Sequence, residues 1–190
     1  MTRLFWVRHG PTHAKTMVGW SDLPADLSDT ARLGRLAAHL PDGAPVISSD
    51  LARAVATADA IAGPRPRLPH DPDLREINFG AWELQAFDRV PDQAGLRAFW
   101  DNPGDIRAPG GESWNQITDR VERATGRLLA AHAGGDIIVV AHMGAILTRV
   151  QRALGITAYE AFGHRIDTLS VTELHLRGSD WQAHAINHQP

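Results

Sequence analysis

Cysteine is absent from this chain of 190 residues. That excludes disulfide scaffolds, thiolate metal sites and every mechanism built on a cysteine nucleophile. Cationic excess is absent too: 19 Lys+Arg against 22 Asp+Glu leave a formal net charge of −3, so nothing favours nucleic acid or an anionic membrane as partner. No apolar run approaches the ~20 residues of a membrane span. The run Leu4-Phe5-Trp6-Val7 meets Arg8 at once, too soon for the hydrophobic stretch of a signal peptide, and the expected location is cytoplasmic. Lysine occurs once, at Lys15, and the other basic residues are arginine, whose planar fork suits phosphate and carboxylate.

What remains is 43% hydrophobic and 22% charged, the balance of one folded domain over residues 1–190. Residues 3–8 predict a buried strand that stops at Gly10-Pro11. Ala31, Leu33, Leu36, Ala37 and Leu40 fall at helical spacing after Ser28 or Asp29 as N-cap. Val46-Ile47 predicts a strand, and Ser48-Ser49-Asp50 a cap for a second helix ending near Gly63-Pro64. Strand, helix, strand, helix is the order of a parallel sheet covered by helices. Residues 64–112, rich in Pro, Gly, Asp and Trp, lack periodicity and predict an insertion over the active-site end, with short helices near 83–88 and 92–101. Ser113 and Gln116 form a capping box for a helix to about His132. Ile137 to Ala141 predicts a central strand, followed by a helix to about Leu154. Residues 165–187 predict a hairpin turning at Gly178-Ser179-Asp180. The fold class expected is α/β, three-layered, with a mostly parallel central sheet.

Two of these strands run into histidine, at Arg8-His9-Gly10 and at Ala141-His142-Met143-Gly144. In open α/β sheets ligands bind beyond the carboxyl ends of strands, beside helix N-termini that attract anions. Arg8, His9, His142 and Arg53, on the first turn of the second helix, therefore converge on one place. Two arginines and two histidines there suit a phosphoryl group, which carries nearly two negative charges at neutral pH. Each residue alone has a plainer reading: a satisfied polar group at a strand end, or an arginine on a solvated face.

The chain resembles the histidine phosphatase superfamily, the phosphoglycerate mutase-like family. The resemblance rests on Val7-Arg8-His9-Gly10-Pro11-Thr12, Gly19-Trp20-Ser21-Asp22-Leu23-Pro24, Ser48-Ser49-Asp50-Leu51-Ala52-Arg53-Ala54, Leu74-Arg75-Glu76-Ile77-Asn78-Phe79-Gly80-Ala81-Trp82-Glu83, Pro109-Gly110-Gly111-Glu112-Ser113 and Val140-Ala141-His142-Met143-Gly144, in family order across nearly the whole sequence. It implies that His9 is the nucleophile that becomes phosphohistidine. Arg8, Arg53 and His142 become the clamp on the phosphoryl oxygens, and Glu76 the acid that protonates the leaving oxygen and then activates water. Gly10, Thr12, Lys15, Met143 and Gly144 complete the expected substrate-binding set, with no metal and no cofactor. Glu83 is the competing acid, and the plainer alternative for Glu76 is a pair with a nearby arginine. The partner implied is a small phosphomonoester, with a homodimer as a further possibility if Trp100, Trp114 or Trp181 serves an interface rather than the core or a lid.

The sequence departs from the family pattern twice: Lys15 stands where the family usually has Asn, and Leu84 where Trp-Glu is usually followed by Gly. The segments at 79–83 and 109–113 look closest to α-ribazole phosphatase-like members. The expected reaction is metal-independent hydrolysis; the rivals are a phosphoglycerate mutase and a silent phosphate-binding protein. Asp71-Pro72-Asp73 reads as a turn rather than an aspartate nucleophile.

Overall fold

The computed structural model describes residues 1–190. The chain order is β1 (Thr2–Arg8), α1 (Thr30–His39), β2 (Val46–Ser48), α2 (Ala52–Ala62), three single 3-10 turns, α3 (Gln93–Asp101), α4 (Trp114–Ala131), β3 (Asp136–Ala141), α5 (Met143–Leu154), α6 (Ala158–Ala161), β4 (Val171–Arg177) and β5 (Asp180–His188). The sheet order is β2-β3-β1-β4-β5. β1 and β2 both pair in parallel with β3, whereas β4 runs against β1 and β5 against β4. The parallel character therefore belongs to the β2-β3-β1 half, and the C-terminal hairpin extends it as an antiparallel edge.

Side chains of a strand alternate between faces, and that alternation makes the three layers. Leu4 and Trp6 of β1, with Ile137, Val139 and Ala141 of β3, pack on Val121, Ala124 and Leu128 of α4 and on Ile146 and Val150 of α5. The residues between them, Phe5 and Val7, Ile138 and Val140, pack on Leu33 and Leu36 of α1 and Ala54, Ala58 and Ile61 of α2. Each central strand is buried on both faces, which is why its sequence is continuously apolar.

The helix signals hold where they are local. Asp29 caps α1 through the N–H of Arg32 at 3.0 Å, and Ser113 with Gln116 forms the capping box of α4. The cap expected of Ser48-Ser49-Asp50 is corrected. The N-cap of α2 is Leu51, with no side-chain cap of its own; the free N–H of Ala52 donates instead to Asp22, at 2.7 Å, from the loop after β1. Of the short helices expected in the insertion, α3 is present, while 83–88 is not helical and gives only a single turn at Phe87–Arg89. The hairpin begins at Val171 rather than 165.

The insertion is not a loose lid. Phe79, Trp82, Leu96 and Phe99 are buried in the same core as α4 and α5. Trp114 is buried there too, Trp100 packs against it, and Trp181 lies under Arg149, so all three tryptophans are engaged within the chain. No helix is long and apolar enough to cross a membrane.

Candidate active site

β1 and β3 lie in register, Arg8 beside Ala141, so the residues that follow them emerge together at the carboxyl edge of the sheet. His9 and His142 meet there with ring centroids 4.9 Å apart. The His9 Nδ1 lies 2.6 Å from the carbonyl oxygen of Gly10. A carbonyl only accepts, so Nδ1 carries the proton and Nε2 carries the lone pair. Nε2 receives the Nε–H of Arg53 at 3.3 Å. Burial, and then the Arg53 charge, push the His9 pKa down to about 3, so the ring is neutral at physiological pH.

Arg53 is itself 1% exposed. Its other nitrogens donate to the carbonyls of Ser21 at 2.9 Å and Gly19 at 2.6 Å. Arg8 donates through one terminal nitrogen to the carbonyl of Ile166 at 2.5 Å, and its buried Nε has no partner. Burial lowers the pKa of both guanidinium groups, and arginine nonetheless stays cationic.

His142 is fully buried. Its Nε2 lies 2.6 Å from the Ser49 hydroxyl, and its Nδ1 has no protein partner. Burial, with His9 and Arg53 nearby, drives its pKa well below the ordinary imidazole range. His142 is therefore a neutral hydrogen-bonding ring beside two cationic arginines.

Glu76 faces the N-terminus of α5. Its Oε1 accepts from the backbone N–H of Ile77 at 2.9 Å and of Gly144 at 3.0 Å, and Oε2 from Gly144 at 3.1 Å. The carboxyl makes no ion pair with arginine. Arg120 instead donates to the backbone carbonyl of Glu76 at 2.7 Å and pairs with Glu112. A Cβ on Gly144 would lie 2.2 Å from Glu76 Oε1, so a larger residue there would displace the carboxyl.

A cavity of about 190 Å³ opens over this group. Arg8, His9, Arg53 and Glu76 form its polar end. Ile77, Phe79, Phe87, Trp100, Trp114 and Phe162 line the rest, with Met17 and Met143. Thr12, Met143 and Gly144 stand in the wall. Three groups of the expected substrate-binding set are committed or placed elsewhere. Gly10 lies outside the wall: its N–H is taken by Thr57 at 2.9 Å, and a Cβ would strike Leu27 at 2.6 Å, so it serves the turn. The Gly144 N–H is taken by Glu76. Lys15 is exposed and outside the wall, although its neighbours Ala14 and Thr16 lie in it. No three His, Asp or Glu side chains are grouped to hold a metal ion.

Glu83, the competing acid, is also outside the cavity; its carboxylate is enclosed by N–H groups of residues 19–21 and 79. Sequence reasoning missed Ser49, Thr57, Phe162 and the second face of the 19–21 loop. Only Ser49, beside a strand end, carried a signal for its role.

The family model for the histidine phosphatase superfamily (branch 1) matches residues 4–189. A bifunctional protein of Mycobacterium tuberculosis is 31% identical over 94% of this chain, which covers 52% of that protein; the chain thus spans about half the length of the first curated relatives it matches. A probable phosphoglycerate mutase GpmB of Serratia proteamaculans is 30% identical over 96% of this chain and 89% of its own. Among solved structures, YhfR of Bacillus stearothermophilus superposes with a TM-score of 0.90 over 99% of this chain and 98% of its own, at 24% identity, and so shares the fold. With a family match along nearly its whole length and a phosphate-suited pocket at the sheet's carboxyl edge, the chain belongs to the histidine phosphatase superfamily.

Proposed function

We propose that this enzyme hydrolyses a small phosphomonoester without a metal ion, through a phosphohistidine on His9. One observation carries the reading: the Gly10 carbonyl fixes the proton on Nδ1 and leaves the Nε2 lone pair, in a neutral ring, beside a guanidinium. The lone pair attacks phosphorus while the ester P–O bond breaks, and Glu76 delivers a proton to the departing oxygen. Water then attacks the phosphohistidine, Glu76 takes a proton from it, and His9 leaves with its lone pair as orthophosphate is released. The covalent intermediate divides one hard displacement into two easier ones. Arg8 and Arg53 stabilise the equatorial charge, which is most of what phosphoryl transfer asks of a protein, and the proton donor is worth about 10²–10⁴ in rate.

The substrate body is apolar or aromatic. Beyond the clamp the wall offers mainly aromatic and aliphatic side chains with two threonines, Thr12 and Thr16, and its only cations are Arg8 and Arg53. A phosphoglycerate needs a further cation for its carboxylate, so the wall argues against the mutase reading that the GpmB relative raises. α-Ribazole 5′-phosphate, whose heteroaromatic base matches such a wall, is the first specific substrate to assay; the segments at 79–83 and 109–113 support it.

The test is hydrolysis of p-nitrophenyl phosphate in excess chelator by the wild type and His9→Ala. Turnover that survives chelation and falls at least ~10³-fold in the variant is the expected result. A folded wild type that isomerises phosphoglycerate in preference to hydrolysing esters overturns it.

A further inference from the structure

Glu83 plays no part in the chemistry above, yet it is the most fully engaged carboxylate in the structure. It accepts from the N–H of Gly19 at 3.0 Å, Trp20 at 2.7 Å, Ser21 at 3.3 Å and Phe79 at 3.1 Å, and from the Ser21 hydroxyl at 2.8 Å. Four backbone donors wrapped on one carboxylate fix a tight loop. The fit leaves no space, because a Cβ on Gly19 would lie 2.1 Å from the Ile77 carbonyl oxygen and 2.4 Å from Glu83 Oε1.

The other face of the same loop meets the catalytic groups. Arg53 hangs from the carbonyls of Gly19 and Ser21, which leaves its Nε–H aimed at His9 Nε2. The Trp20 indole N–H donates to the backbone carbonyl of Glu76 at 2.8 Å, and Asp22 caps the helix that carries Arg53. Glu83 thus grips the N–H side of a three-residue loop whose carbonyl side grips Arg53.

We propose that Glu83 is a positioning residue, whose carboxylate sets the 19–21 loop so that Arg53 is held against the His9 nucleophile. The inference rests on the phosphohistidine reading for its kinetic consequence, but the Glu83–loop–Arg53–His9 linkage is geometric and has its own readout. Four ionisable groups face His9: Arg8 from its own strand, Arg53 from α2, His142 from the end of β3 and Glu76 from the insertion. Of these, Arg53 is the one whose side chain hangs from the loop that Glu83 holds, whereas Glu76 is tied to it only through its backbone carbonyl. If the loop relaxes, Arg53 withdraws, and His9 loses a neighbouring cation that keeps it unprotonated.

The experiment compares wild type and Glu83→Gln by two measurements. The first is the pH profile of kcat/KM on p-nitrophenyl phosphate, per folded molecule. The second is titration of the His9 imidazole by NMR, assigned with His9→Asn. Glutamine keeps the size but turns two of its own N–H donors toward backbone donors. The expected result is a fall of roughly 10- to 100-fold in kcat/KM at pH 7, short of the roughly 10²–10³-fold loss seen when one charge-stabilising donor is removed outright. The acidic limb of the profile and the His9 midpoint should move together to higher pH. A folded Glu83→Gln variant with wild-type His9 titration and unchanged kcat/KM per folded molecule overturns the inference. Should Glu83→Gln not fold, Ser21→Ala, which removes one donor, carries the test: a smaller upward move of the His9 midpoint supports the linkage, and a titration superimposable on wild type overturns it. If wild type itself does not turn over, the phosphatase reading fails, and the NMR titration still decides whether Glu83 sets Arg53.

Discussion

The His9 ring stays neutral where it is crowded by cations. Burial and Arg53 together hold its pKa near 3, and His142 is depressed by the same causes. The unfolded chain protonates both below about 6.5 while the folded chain resists. The unfolded state therefore binds more protons as pH falls through that range, and stability drops with it. Each ring contributes up to about 1.4 kcal/mol per pH unit in the affected window. Urea unfolding at pH 7 and pH 5 should show this loss, and His9→Asn should reduce its slope. A second residue-scale prediction concerns Leu84, half exposed with φ 61°. A left-handed non-glycine residue costs about 1–2 kcal/mol, and glycine returns about 0.5–1 kcal/mol of that as chain entropy. Leu84→Gly should thus stabilise by about 0.5–1 kcal/mol in thermal or urea unfolding.

At the scale of elements, buried arginines fasten one segment to the next. Arg65, after α2, donates to the carbonyls of Ala37, Leu40 and Pro41 in and just past the last turn of α1 and of Ile61 in the last turn of α2. These are carbonyls that a helix C-terminus leaves without partners. Arg65→Met should cost on the order of 2 kcal/mol, since it strips charged donors from buried acceptors, and the loss should appear as a lower urea midpoint with catalysis per folded molecule intact. Arg120 does the same for the approach to Glu76, bonding the carbonyls of Asp73, Arg75 and Glu76 while pairing with Glu112. Such bonds explain what the sequence did and did not reveal. His9, His142 and Arg53 were legible because strand ends and helix starts are local patterns. The cap on α2 was not, because Asp22 reaches it from another loop. The choice of Glu76 over Glu83 came from the resemblance alone, since both carboxylates sit in the same aperiodic stretch. The partner of the Gly10 N–H was not legible either, because Thr57 reaches it from α2 only in the folded chain.

Across the whole molecule, the site stands on the parallel half of the sheet, and the antiparallel hairpin closes the other side of β1. The first strand is thus flanked by β3, residues 136–141, and β4, residues 171–177. A chain cut after Asp167 loses β4 and β5 and leaves one side of β1 unpaired. It should show no cooperative urea transition and should aggregate, whereas the full chain unfolds in a single step; light scattering beside circular dichroism would tell the two apart. The central position of β1 also bears on synthesis. The most apolar strand of the chain's beginning leaves the ribosome long before either of its neighbours exists. Pairings so distant in sequence are slow to form, so Leu4-Phe5-Trp6-Val7 travels through translation as a sticky segment with two bare edges. During that interval the nascent chain has more need of a chaperone than the folded domain does.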